Sequence, residues 1–339
     1  MKYITGIILI VTLSSCELLF TEPQPSTTPT AIFEEAWTFA DREYSFFEFK
    51  NIDWDSIYAV YQPLVNDEMT SEELFKVIAD MMYELKDGHV NLRSSFDISR
   101  NWTWFLDYPA NFNYDLLERN YFKEKQQFVG SFIVYDFGDV GYIRYSSFSN
   151  TISESSLNYI LKKFEFHRGI IIDVRDNGGG SIMNIERLAE RFTDEEILVG
   201  RTQYKNGIGE NDFSALEDVV LSPYETDNDD EEPLRFTGKV AVLTSRSCYS
   251  ATNLFAAYMK NLPNVTLIGD QTGGGGGAPA FTELANGWIL RVSNTATFMP
   301  DGFNIEGGVP VDVAEDMDDT AAQNGFDTIL ETALFLLRQ

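Results

Sequence analysis

Residues 169–180 read GIIIDVRDNGGG, a short apolar run that passes through charged residues into asparagine and three glycines. Gly169 to Arg175 shows no polar alternation, the pattern of a strand buried on both faces. Its end carries the chemistry. Asn177 followed by Gly178, Gly179 and Gly180 lets backbone approach a ligand closely and leaves N–H groups without partners, as a site for a developing oxyanion requires.

Runs of the same kind follow at Lys239–Ser245 (KVAVLTS) and Val265–Asp270 (VTLIGD), with helical patterns between them at Asn184–Phe192 and Ser250–Lys260. Strand and helix alternating in this way predict stacked βαβ units. Upstream, FIVYDF, Gly138-Asp139 and VGYIRY predict a hairpin, and a second one turns at Asn286-Gly287. An amphipathic helix is expected from Asp327 to Leu337. The N-terminal part has a different period. Phe33, Trp37, Ala40, Tyr44 and Phe47 recur at helical spacing, as do Leu74, Ile78, Met81 and Leu85 behind a Thr70–Glu73 capping box. The chain therefore reads as mixed α/β (α+β), with a helical N-terminal domain over 31–105 and a larger mixed domain over 106–339. Residues 203–233, with the acidic run Asp227 to Glu232, are expected to form a solvated surface insertion or lid; they lack the spacing and glycine of a calcium loop.

Lys2, the apolar Ile4–Leu13 and the small residues before Cys16 read as a bacterial lipoprotein signal, with an ordinary secretory signal as the alternative. On that reading residues 1–16 are a targeting segment, Cys16 is lipidated, 17–30 is a tether, and the protein sits in the bacterial cell envelope, with the outer membrane as the expected site. The other cysteine, Cys248, has no partner for an internal disulfide. A formal charge of −28 disfavours nucleic acid as a partner. With only His89 and His167, a histidine-rich metal site is excluded, and no metal or cofactor is expected.

Ser250 lies where the strand ending near Ser245 gives way to the helix SATNLFAAYMK. The start of a helix behind a buried strand offers exposure, N–H groups and a favourable dipole to a nucleophile, though serine is also a common N-cap. His89, in LKDGHV, follows the packed Leu85 and leads into VNLRSS; a ring held there suits a general base. His167, in KFEFHRG, reads as a surface or edge residue. The glycine run GDQTGGGGGAP from Gly269 is no phosphate loop, because no Gly-Lys-Ser/Thr follows it, and it reads as a loop lining substrate.

In order, IDWDSIY, LKDGHV, VGYIRYSSF, IIIDVRDNGGG, VLTSRSCYSATNLFA, VTLIGDQTGGG and DGFNIEGGVPVDV resemble the tricorn-core and C-terminal processing serine peptidases, from about Phe33 to the C-terminus. The resemblance implies a crotonase-like catalytic core. It also implies residue roles. The serine–lysine branch carries its lysine in the loop after VTLIGD, but Thr272-Gly273-Gly274-Gly275 has none, so the histidine-dependent, tricorn-like branch fits, with Ser250 as nucleophile and His89 as base. Glu306 then maps to the supporting glutamate. A serine usual before the histidine is here Gly88, and a glutamate usual three places after the nucleophile is Asn253. A direct Glu306 contact, a water or another side chain is expected to replace the missing serine. The resemblance implies acyl transfer on polypeptides, the oxyanion held by N–H groups of Gly178 or Gly179 and Ala251. Asn91 to Gln127 is too short for a PDZ domain, so tail selection is expected on another surface, such as the insertion. The alternative is a non-catalytic lipoprotein of the same fold whose aromatics line an apolar or peptide-binding pocket. Oligomeric state is not legible in the sequence.

Overall fold

The computed structural model describes residues 25–101, 107–209, 211–226 and 232–339. Cys16 and its leader, most of the tether and most of the Asp227–Glu232 run lie outside these residues. No helix among the described residues is long and apolar enough to cross a membrane.

The apolar runs form the centre of a seven-stranded sheet. Its strands are β2 (Gln127–Val129), β3 (Phe132–Asp136), β4 (Val140–Arg144), β5 (Gly169–Asp173), β8 (Lys239–Thr244), β9 (Val265–Gly269) and β13 (Val313–Ala314), in the order β13-β9-β8-β5-β4-β3-β2. The strands from β13 to β4 are parallel, β3 is added antiparallel to β4 through the Gly138 turn, and β2 antiparallel to β3 through Gly130-Ser131. Burial on both faces follows from the alternation along each strand. Ile170 and Ile172 face a core shared with the helices Glu154–Phe164, Met183–Ala189 and Ala251–Lys260. Ile171, between them, faces the other side, where Ile329, Leu330, Ala333 and Leu334 of the helix Thr328–Arg338 pack.

A second core holds the N-terminal helices Pro29–Glu43, Trp54–Tyr61 and Ser71–Tyr83. It is not closed by residues 31–105 alone. β1 (Asn91–Arg93) pairs with β11 (Ile289–Ser293), which forms a hairpin with β10 (Pro279–Glu283) across Asn286-Gly287, and Leu284, Trp288, Leu290 and Val292 complete the packing.

A third sheet joins β6 (Ile197–Tyr204) to β7 (Glu217–Leu221) and β12 (Thr295–Phe298). Part of the stretch read as a surface insertion is thus structural: β7 lies within 203–233, and its Leu221 is buried in the main core.

Candidate active site

The loops after β5, β8 and β9 all leave the carboxyl ends of parallel strands, where open α/β sheets present their ligand-binding crevice. Between the first two of these loops and the segment 88–101 lies a cavity of about 660 Å³ lined by Gly88, His89, Gly178, Tyr249, Ser250 and Arg291 among others.

Ser250 precedes the Ala251–Lys260 helix with φ 58° and ψ −121°, a conformation costly for a residue with a Cβ. Its side chain makes no capping hydrogen bond to that helix. The hydroxyl instead lies 2.8 Å from His89 Nε2. Strain of order 1–3 kcal/mol at such a residue is sustained only where the surroundings over-determine it. Here Ser250 N–H donates to Gly274 O at 2.9 Å, Tyr249 N–H donates to Asn177 O at 3.3 Å, and Gly179 packs underneath. A Cβ at Gly179, whose φ is 103°, would stand 2.6 Å from Tyr249 O and 2.8 Å from Ser250 Cβ, so glycine is required there.

The glycine turn is fixed from below. Arg175, fully buried, grips Asp173 Oδ1 and Oδ2 at 3.0 and 2.7 Å and reaches Asp327 at 2.9 Å, tying the strand end to the N-cap of the last helix. Asn177 donates to Tyr145 O at 2.9 Å and accepts from Gly179 N–H at 3.0 Å. That last bond corrects one expectation: the Gly179 N–H is already satisfied within the turn. Gly178 lines the cavity, and Ala251, as first residue of its helix, has no intrahelical acceptor for its N–H.

His89 arrives on the other wall. The helix Ser71–Tyr83 starts in a complete Thr70–Glu73 capping box, Leu85 is fully buried, and the chain turns through Asp87 and Gly88 into β1. Burial pushes the imidazole down to about 4; Asp87 pulls the other way and Arg291 adds to the depression. The ring is therefore neutral near pH 7 and able to accept a proton. Its Nδ1 makes no well-formed hydrogen bond, although the Gly277 backbone lies where it favours the protonated ring.

Asp87, two residues before His89, is a site residue with no mark of its role in the sequence. Its carboxylate accepts from His89 backbone N–H at 2.8 Å, Ser293 Oγ at 2.9 Å and the Tyr249 hydroxyl at 3.2 Å, so it clamps the histidine turn to β11 and to the residue before Ser250. Behind it stands Lys50, with Nζ 3.5 Å from Asp87 Oδ2 and 2.7 Å from Glu306 Oε1. Glu306 also accepts from Gly276 N–H at 2.8 Å. No hydrogen bond joins Glu306 to His89 among the described residues; of a direct Glu306 contact, a water or another side chain in place of the serine missing at Gly88, the structure has side chains, with Lys50 linking Glu306 to Asp87, which accepts from the His89 backbone N–H. Burial raises both carboxyl groups, but Lys50 and the hydrogen-bond donors outweigh it at Asp87, which falls to about 2, whereas burial wins at Glu306, which rises to about 7. Two carboxylates share one ammonium ion, and the negative charge concentrates on Asp87.

Asn253 is wholly buried, donating to Ile305 O at 3.0 Å and accepting from Thr272 Oγ1 at 2.6 Å; it fastens the helix that follows Ser250 to the 305 segment. Cys248 donates to Val174 O at 3.1 Å, and burial pushes its thiol up to about 12, which leaves it inert. His167 pairs with Asp136 at 3.0 Å, away from the cavity. Among the described residues no cluster of three or more His, Cys, Asp or Glu side chains could hold a metal ion.

A serine-bearing turn at a parallel strand end, faced by a neutral histidine, is an arrangement suited to acyl transfer. The model of peptidase family S41 matches residues 139–315, just over half of the chain, and the tricorn protease C1 domain matches residues 25–83. The chain belongs to peptidase family S41. The crystal structure of a candidate peptidase from Parabacteroides merdae is 43% identical, superimposes with a TM-score of 0.85, and the match covers 92% of this chain and 97% of that one. The carboxy-terminal processing protease CtpB of Bacillus subtilis is 25% identical over 165 residues, 48% of this chain and 31% of its own length. The chain thus spans about a third of the length of the curated relatives it matches. A photosystem II D1 C-terminal processing protease shares the fold, with a TM-score of 0.53, 14% identity, and coverage of 86% of this chain and 94% of that one.

Proposed function

We propose that the chain is a serine endopeptidase that hydrolyses exported polypeptides through an acyl-enzyme on Ser250. The observation that carries this reading is the 2.8 Å contact between His89 Nε2 and the hydroxyl of a serine that caps no helix. Neutral His89 takes the Ser250 proton as Oγ attacks the scissile carbonyl carbon. The oxyanion is held by the N–H groups of Gly178 and Ala251, aided by the dipole of the Ala251–Lys260 helix. The tetrahedral intermediate collapses, the peptide C–N bond breaks, and His89 returns the proton to the leaving amine. Water, deprotonated by His89, then attacks the acyl carbon and releases Ser250. Asp87, Lys50 and Glu306 position the histidine turn. Processing near a polypeptide's C-terminus is the activity that the relatives' names suggest, and Cys16 is the lipid anchor that would keep the enzyme at the envelope membrane.

Hydrolysis of an unfolded polypeptide tests the reading. Ser250→Ala and His89→Ala should each lower kcat by a factor on the order of 10³ or more; near wild-type turnover by His89→Ala would remove the histidine from its role. Cell fractionation tests the anchor, since Cys16→Ala should move the protein out of the membrane fraction, and unchanged partitioning would refute lipidation.

A further inference from the structure

Arg291 sits in the middle of β11, and the alternation of that strand decides which way it looks. Leu290 and Val292 pack into the N-terminal core, so Arg291 and Ser293 lie on the opposite face. Ser293 uses that face to hold Asp87, and Arg291 lines the cavity that holds Ser250 and His89. Opposite it in the ladder is Asn91, which lines the cavity too.

The guanidinium is underemployed. Its Nε is buried and has no hydrogen-bond partner, and no carboxylate among the described residues forms an ion pair with it. Asp87, whose charge it feels, is committed to Lys50 and to three hydrogen-bond donors. Arg100 lines the same cavity, and Asp176 is the single acidic residue of its lining among the described residues. In a chain of formal charge −28, a cleft wall with two arginines is a local inversion of sign. A buried Nε–H without an acceptor is unfavourable, and the rest of this part-buried guanidinium, which lines the cavity, offers a planar fork that matches a carboxylate.

We propose that Arg291 is a specificity-determining residue of the cleft that receives a carboxylate of the bound peptide, either its C-terminal carboxylate or an Asp or Glu side chain. The inference rests on the reading of this cleft as a polypeptide site. It locates substrate selection inside the cleft, whose lining includes none of the described residues of 203–233.

The test separates binding from turnover by using the Ser250→Ala protein and fluorescence anisotropy with three labelled peptides of one neutral sequence. One ends in a free carboxylate, one in an amide, and one in an amide with a single internal glutamate. At least one carboxylate peptide should bind roughly 10-fold or more tighter than the neutral amide, and the peptide that gains identifies the source. Adding Arg291→Gln should erase the preference, and Arg291→Lys should keep part of it, which shows that the site remains folded. Equal affinity for all three peptides, no binding of any, or a preference that survives Arg291→Gln would overturn the proposal. Failure of the peptidase reading would appear separately, as absence of hydrolysis by the Ser250-containing protein.

Discussion

Ser250 and Asp87 show two different relations between a residue and its neighbours in sequence. Ser250 could be suspected from its place after a buried strand, and its φ of 58° shows how the chain lifts its hydroxyl off the helix end and toward His89. Asp87 lies two residues before His89 in LKDGHV, yet its meaning depends on Lys50, Tyr249 and Ser293, which are far apart in the chain and meet only when the two cores close. Glu306 was expected beside the site from the resemblance, but its ion pair with Lys50 was not, because a lysine in FEFK gives no local sign of burial between two carboxylates. Two predictions belong at this scale. Since burial holds His89 near 4, below its ordinary 6.5, the base stays neutral down to that range. The acid limb of kcat/KM should therefore fall through about pH 4, and a limb near 6.5 would show that the ring is solvated. The same depression contributes stability present above about pH 6.5 and lost as pH falls toward 4. Lys50→Met leaves two buried carboxylates without their cation, and should cost on the order of 3–5 kcal/mol in urea unfolding.

At the level of elements, β5, β8 and β9 and the helices between them were readable because burial on both faces writes an unbroken apolar run, whereas the crossover helix Glu154–Phe164 and the two-residue β13 were not read. The sheet of β6, β7 and β12 was not. β7 is short, its Glu217 and Asp218 are exposed, and it pairs with β6 at the sheet edge, so its sequence looks like that of a loop. β12 reaches β6 from about ninety positions away, beyond any local pattern. The loops that hold Ser250 interlock closely. Gly274, with φ 90°, gives its carbonyl to Ser250 N–H while its Cα faces Glu306 O, with no space for a Cβ. Gly274→Ala should displace that carbonyl and slow acylation of Ser250 by up to about 100-fold, because misplacement of a reacting group by 1 Å has that effect. Stopped-flow measurement of the acylation burst checks this; an unchanged burst rate would mean that the loop does not hold the serine.

For the whole molecule, the decisive feature is that His89 and Ser250 belong to different cores. The histidine stands on the N-terminal helices and the β10–β11 hairpin, the serine on the main sheet. Leu290, fully buried in the first of these, touches neither residue's chemistry, and Leu290→Ala should cost about 2–5 kcal/mol through the cavity it leaves. In that variant, hydrolysis should fail at a lower urea concentration than far-UV circular dichroism, because the pair separates before the main sheet unfolds; coincident transitions would show that the two cores unfold as one. The most direct test of the central claim is reaction with a fluorophosphonate probe followed by peptide mass mapping. The account predicts one equivalent of probe on Ser250, lost in Ser250→Ala and strongly slowed in His89→Ala. Modification at another residue, or no modification of a folded protein, would contradict it.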